Sequence, residues 1–175
     1  DETGLELTDP DFKALFIIDV SEHQGVINWK KAAKEIDGAI IRCGYGQDRA
    51  DQDDEQFRRN VSECTRLGIP FGIYLYSYAS NKTAAASEAD HVLRLVKGLD
   101  LSYPIYHDLE ESRYASAART VIGVFGPKIE AAGYWCGLYS GEYYYNNNLK
   151  GVDRYTKWIA KYGSNGGRPH SMPNV

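Results

Sequence analysis

The feature that most limits how this chain can fold is a regular alternation of short apolar runs with helical stripes. The runs return about every 30 residues, which is the spacing of βαβ units and a mainly parallel sheet. Phe16-Ile17-Ile18-Asp19-Val20 is the first run. Asn28 then caps a helix expected from Trp29 to Ile36. Gly38 to Gly46 reads as a second strand, apolar on both faces as buried parallel strands are. A helix expected over 53–67 sets Phe57, Val61 and Cys64 on one side and stops at Gly68. Pro70 to Tyr78 is a third strand. Asn81 opens a helix through Lys97, with Ala85, Ala89, Val92, Leu93 and Val96 as its buried stripe. Tyr103 to Glu110 is a fourth strand, and a helix over 116–132 follows it, with Val121, Ile122, Val124, Phe125 and Ile129 as apolar members. Tyr134 to Ser140 and Tyr155 to Tyr162 complete the set.

No G-x-G-x-x-G follows the first strand and no Walker motif occurs, so a nucleotide-binding sheet is disfavoured. The expectation is an α/β fold, an irregular TIM-like (β/α) barrel whose functional groups gather at the C-terminal ends of the strands. At 175 residues the chain is long enough for one domain with a real core. A net charge of −4 without any basic cluster argues against nucleic acid as a partner. No apolar run reaches the roughly 20 residues that span a bilayer. Asp1 begins no signal peptide, so a cytosolic chain or a mature or excised form is expected. Cys43, Cys64 and Cys136 form neither a disulfide framework nor a metal pattern, and Cys43 and Cys136 read as small buried hydrophobes. The 14 Tyr and 3 Trp against 5 Phe offer flat faces with a polar handle, which suits sugars as well as wet-edged packing.

The fourth strand carries the chemistry. In Tyr103-Pro104-Ile105-Tyr106-His107-Asp108-Leu109-Glu110, strand alternation puts Asp108 and Glu110 on one face and Leu109 on the other. Two acids side by side stabilise a fold poorly, but they push their pKa values apart and leave one protonated, as glycosidic bond hydrolysis requires. Asp19 ends the first strand and joins them on the same rim; capping the next turn is its plainer reading. His107 is expected to point away from Asp108 and to be structural. Glu111 reads as a surface charge, and the Tyr143-Tyr144-Tyr145-Asn146-Asn147-Asn148 run as a loop or helix start rather than a sugar-stacking loop.

These residues stand within an ordered set. Asp19-Val20-Ser21-Glu22-His23-Gln24-Gly25 with Ile27-Asn28-Trp29, Ile41-Arg42-Cys43-Gly44-Tyr45-Gly46, and Gly68-Ile69-Pro70-Phe71-Gly72-Ile73-Tyr74 come first. Asp108-Leu109-Glu110, Gly137-Leu138-Tyr139-Ser140 and Trp158-Ile159-Ala160-Lys161-Tyr162-Gly163 follow. In this order and spacing the chain resembles the glycoside hydrolase family 25 lysozymes, the Chalaropsis-type N-acetylmuramidases. The resemblance implies a peptidoglycan hydrolase that cuts the β-1,4 bond between N-acetylmuramic acid and N-acetylglucosamine, without metal or cofactor. It implies Glu110 as the general acid, its pKa raised by burial beside aromatics and by an ionised neighbour. Asp108 and Asp19 would assist, by facing positive charge on the sugar or by orienting its N-acetyl group. An enzyme nucleophile and the substrate's own acetamide both fit the sequence. Tyr45, Tyr74, Tyr76, Tyr78, Tyr139 and Trp158 are candidate substrate-binding residues, although each also suits barrel filler. The three tyrosines of the third strand are not expected to share one side.

The resemblance also sets expectations about what lies around the domain. Residues 1–15 read as a lead-in or linker and 16–175 as the catalytic domain, short at its C-terminus relative to the family, with a Gly/Asn/Pro-rich tail after Tyr162. An open sheet edge is expected there, completed by a further segment or accompanied by wall-binding modules. The implied setting is extracellular or cell-wall associated, or that of a phage lysin. Two other readings remain: a wall-binding module of this fold with impaired turnover, and a metal-dependent polysaccharide deacetylase. The second fits poorly, since the 4 His show no metal-ligand spacing.

Overall fold

A computed structural model describes residues 15–161. Six strands form one parallel sheet in chain order: β1 (Ile17–Val20), β2 (Gly38–Tyr45), β3 (Phe71–Tyr76), β4 (Ile105–Asp108), β5 (Cys136–Gly141) and β6 (Thr156–Ala160). The sheet curls into a half-barrel, and β1 and β6 do not pair with each other. Both are therefore edge strands among the described residues, and their side chains are more exposed than those of the inner four. The lead-in up to residue 14, Tyr162 and the tail beyond it lie outside the described residues.

Helices α1 (Trp29–Ala32), α2 (Phe57–Leu67), α3 (Lys82–Val96) and α4 (Ala118–Ala131) fill the connections, and a short α5 (Glu142–Tyr144) leads into a π-helical turn. The sequence periodicity places each of these four helices, while local side-chain chemistry moves their ends. Asn28 and Asn81 cap α1 and α3, accepting from the N–H groups of Lys31 and Ala84 at 3.1 and 3.0 Å. α1 stops at Ala32 rather than Ile36, because the chain must turn to bring Gly38 beside Ile17. Asp37 closes that turn: its side chain accepts from Phe16 N–H, and its own N–H donates to the Phe16 carbonyl. α2 starts at Phe57 rather than Asp53, because Asp53 and Asp54 are engaged elsewhere. Asp54 accepts from Gln56 N–H and Asp53 lies beside His91 and Arg94, so the loop backbone is held out of helical pairing. α2 ends at Gly68, whose φ of 67° only glycine adopts at little cost.

One face of the sheet is apolar. Ala39, Ile41, Cys43, Ile73, Leu75, Ile105 and Leu138 are fully buried there, with α2 and α3 packed on β2 and α4 on β4 and β5. All three cysteines are buried free thiols. Along each strand the alternate residues face the concave side, which is aromatic and polar. Its floor is set by close approaches: a Cβ on Gly72 would lie 2.7 Å from Tyr103, and one on Gly137 would lie 2.4 Å from the Tyr106 ring.

Candidate active site

The parallel register brings distant residues into one row at the C-terminal ends of the strands. Tyr76 of β3 stands beside Asp108 of β4, Asp108 beside Tyr139 of β5, and Tyr139 beside Trp158 of β6. One step deeper, Arg42 pairs with Tyr74 and Tyr74 with Tyr106. Asp19, His23, Arg42, Tyr74, Tyr76, Asp108, Glu110, Tyr139 and Trp158 together line an open cleft of about 300 Å³.

β4 ends at Asp108, so Glu110 stands in the loop after the strand, two residues short of where the sequence pattern ended it. Alternation nevertheless carries on: Leu109 N–H donates to the Tyr139 carbonyl at 2.9 Å, and the Leu109 side chain is buried. The Leu109 carbonyl accepts from Ser140 Oγ at 2.7 Å. These bonds aim both acids into the cleft. His107 points to the opposite side, fully buried and stacked on Phe125 with ring centroids 3.8 Å apart. Glu111 is partly buried and accepts from Arg113 N–H, so it caps the following turn rather than standing as a free surface charge. Residues 143–148 form helical turns, closed in part by Asn147 and Asn148 donating to the carbonyls of Tyr143 and Tyr144.

Of the aromatic candidates, Tyr74, Tyr76, Tyr139 and Trp158 line the cleft. The three tyrosines of strand three do not share one side, although strand alternation is not the reason. Residues two apart share a face, so Tyr74 and Tyr76 point the same way. Tyr78 leaves the row because β3 ends at Tyr76. Tyr78 stands on the adjoining rim, 46% exposed, with its ring 5.1 Å from Tyr76 and 6.1 Å from Tyr45. Trp158 makes edge contacts with Tyr139 and Tyr106 at 4.7 and 5.4 Å, which hold the indole in place.

The electrostatics separate the two acids. Glu110 is half-buried, and that burial raises its pKa. Asp108 is only 4% exposed and is raised well above its ordinary value, first by burial and then by the charges of Glu110 and Asp19, with Arg42 opposing. One oxygen of Asp108, Oδ1, is buried without a hydrogen-bond partner. The acid expected to sit ionised beside Glu110 is thus itself held toward its protonated form. Burial, which the residue pattern does not show, decides this. Burial also raises the phenols of Tyr74 and Tyr76, so both remain hydrogen-bond donors to a ligand.

Two cleft residues were not singled out from the sequence, although both lie within the motif segments. Arg42 is a cation in an otherwise apolar strand, which was the available signal. Its Nε lies 2.8 Å from Asp54 Oδ2 and its guanidinium 2.9 Å from Glu22. Burial works against its charge, but the hydrogen bond and charge of Asp54, with Tyr74 and Glu22, hold its pKa above the usual value. His23 Nε2 lies 3.3 Å from an Arg42 nitrogen. A guanidinium only donates, so Nε2 accepts there, and Nδ1 is left as the ring's outward polar atom. Among the described residues no group of three or more His, Cys, Asp or Glu is arranged to hold a metal ion, and no helix is long and apolar enough to cross a membrane.

A parallel half-barrel with acids and aromatics at the C-terminal strand ends can place acid–base groups beside a stacked sugar, and the family comparison points the same way. The model for glycosyl hydrolases family 25 matches residues 18–174, and the chain belongs to that family. Among curated proteins it is 31% identical over 155 residues to the uncharacterized protein YegX of Escherichia coli O157:H7, covering 83% of this chain and 55% of YegX. The chain therefore spans about half the length of that relative. Among solved structures it is similar to the modular autolysin LytC from Streptococcus pneumoniae, with 34% identity and a TM-score of 0.75, over 89% of this chain and 40% of LytC. LytC has also been solved in complex with a synthetic peptidoglycan ligand, and that structure matches with a TM-score of 0.76. The GH25 lysozyme from Aspergillus fumigatus shares the fold at 21% identity, with a TM-score of 0.72 over 91% of this chain and 80% of its own.

Proposed function

We propose that this protein hydrolyses peptidoglycan, cutting the β-1,4 bond between N-acetylmuramic acid and N-acetylglucosamine. The observation that carries this reading is the convergence of Asp19, Asp108 and Glu110 in one aromatic-walled cleft of a family 25 chain. Glu110 is the more accessible acid of the raised pair, and its carboxyl proton goes to the bridging oxygen. The C1–O bond breaks, its electron pair stays on the departing sugar, and positive charge spreads over C1 and the ring oxygen of the remaining one. Water oxygen then bonds to C1, directly or by displacing a carboxylate or acetamide oxygen that has bonded there first, and the water's proton returns to Glu110. Asp19, exposed at the rim, presents a carboxylate to that charge. Asp108, buried and reluctant to ionise, is suited to hold the N-acetyl group by hydrogen bonding. Tyr74, Tyr76, Tyr139 and Trp158 supply stacking faces and hydroxyl donors for the sugar rings, with Tyr45 and Tyr78 extending the wall. The polymer lies in the bacterial cell wall, so the site of action is outside the cytoplasm or, for a phage lysin, at the wall during release.

Digesting purified peptidoglycan and identifying the new reducing ends tests this. Reducing-end muramic acid is expected, and reducing-end glucosamine would contradict it. Glu110→Gln is expected to lower turnover by about 10²–10⁴-fold, the usual weight of a general acid. Protein that sediments with cell walls but releases no fragments would instead show a wall-binding module.

A further inference from the structure

The helix-facing side of β3 and β4 holds a buried acid that the proposed chemistry does not use. Glu88 lies in the middle of α3 and is fully buried. Its Oε2 accepts from Ser77 Oγ at 2.7 Å and lies 2.8 Å from His107 Nε2, while its Oε1 accepts from Tyr78 N–H at 2.8 Å. Burying a carboxyl group is costly even when it is paired, and apolar residues of similar volume often hold a core as well or better. A group of this kind therefore calls for a role beyond packing.

Its three partners locate that role. Ser77 follows Tyr76 and His107 precedes Asp108, and Tyr76 and Asp108 are register partners on the cleft face. Ser77 N–H donates to the Asp108 carbonyl at 3.0 Å, which ties the two strand ends directly. Glu88 grips the same two ends from behind, at the level where their neighbours project into the cleft. The third bond fixes the backbone at Tyr78, where β3 has already ended and no ladder holds the chain. His107 is clamped between Glu88 and the Phe125 ring, so β4 cannot slide or roll without breaking both contacts.

We propose that Glu88 is a positioning residue for the cleft: through Ser77, Tyr78 and His107 it sets where Tyr76 and Asp108 stand relative to Glu110. The inference rests on the hydrolase reading above. A displacement of about 1 Å in a reacting group can cost on the order of 10²-fold in rate, so loosening this clamp acts on turnover more than on binding.

The test compares kcat, KM and the unfolding midpoint on soluble glycan strands for the unaltered protein and three variants. Glu88→Leu with His107→Leu removes the acid and its imidazole partner together, so neither is left facing an apolar group, while Ser77 Oγ and Tyr78 N–H lose their acceptor. Its midpoint is expected to stay within a few degrees while kcat falls at least 10-fold and KM changes less than 3-fold. Glu88→Gln keeps the length of the side chain, an acceptor for Tyr78 N–H and a donor for His107, whose Nδ1 is free to take the ring proton. It is expected to return kcat to within about 3-fold of the unaltered protein. Ser77→Ala deletes the bond to Glu88 and the longer one that Ala79 N–H donates to Ser77 Oγ, with little change in buried volume, and a 2- to 5-fold loss in kcat is expected; it stands in if the double variant does not fold. Unaltered kcat in the double variant, or in Ser77→Ala if the double variant is unfolded, overturns the proposal. So does a loss of kcat that merely tracks the loss of folded protein, or a Glu88→Gln variant no better than the double one. If the unaltered protein itself releases no reducing ends, the hydrolase reading fails first and takes this inference with it.

Discussion

Leu138 and Tyr139 are neighbours in β5, yet they belong to opposite sides of the molecule. Leu138 is fully buried in the apolar layer beneath the helices, and Tyr139 faces the cleft between Asp108 and Trp158. The same split runs along β2, β3 and β4, where Ile41, Leu75 and His107 back Arg42, Tyr76 and Asp108. Apart from the Glu88, His107 and Ser77 cluster, the helix-side face is filled by apolar residues of complementary shape. The cleft side brings three carboxylates together and leaves one buried oxygen of Asp108 unpartnered. Stability therefore comes from one face and is given up on the other, as expected where a site needs perturbed groups.

The largest effect on stability is expected on the helix side. Leu138→Ala should cost about 2–5 kcal/mol through lost burial and the cavity left behind. Calorimetry would show this as a lower midpoint, while kcat measured at low temperature stays near that of the unaltered protein. A large loss of kcat in folded protein would break the separation of the two faces.

Gly137, one residue earlier, faces the cleft and gives the reverse pattern. An added Cβ would lie 2.4 Å from the Tyr106 ring, which in turn packs on Trp158. Gly137→Ala should cost about 1–3 kcal/mol by overpacking. It should also raise KM, because the indole that walls the cleft must shift; unchanged KM would show that the floor does not hold the wall.

The smallest effect is a gain in stability. Asp108 binds its proton more tightly in the folded chain than in the unfolded one, since its pKa is raised. Above that raised pKa the group therefore opposes folding. The penalty fades as pH falls toward the ordinary value of 3.8. Asp108→Asn should lift the midpoint at neutral pH by a few degrees, as about 1 kcal/mol moves a domain of this size by roughly 2–4 °C. The same change should flatten the dependence of the midpoint on pH above the ordinary carboxyl value of 3.8 and lower kcat. Thermal scans across that range, beside kinetics, would reveal whether stability and activity move in opposite directions at this residue. If both fall, Asp108 is part of the fold's support and not of its chemistry.

Much of this was legible along the chain. The alternation of strands and helices, the caps at Asn28 and Asn81, and the stop at Gly68 all follow from local preferences, and the folded chain has each of them. Helix starts were harder to place, because Asp53 and Asp54 give their side chains to partners that only the fold brings near. The buried stripe of α3 was read as apolar. Glu88 and His91 lie in it too, since a polar residue on a buried face declares itself only through its partners. Arg42 and His23 escaped notice as cleft residues for the same reason.

The sequence by itself determined the parallel α/β architecture, the strand that ends at Asp108 with Glu110 just beyond it, and the family to which the chain belongs. These depend on patterns between near neighbours in the chain, where periods of 2 and 3.6 residues leave a direct mark. Only the tertiary structure decided which tyrosines face the cleft, which groups hold the strand ends from behind, and that Asp108 as well as Glu110 is held toward its protonated form. Each of these depends on burial and on distances across strands tens of residues apart, and no local pattern encodes a through-space field.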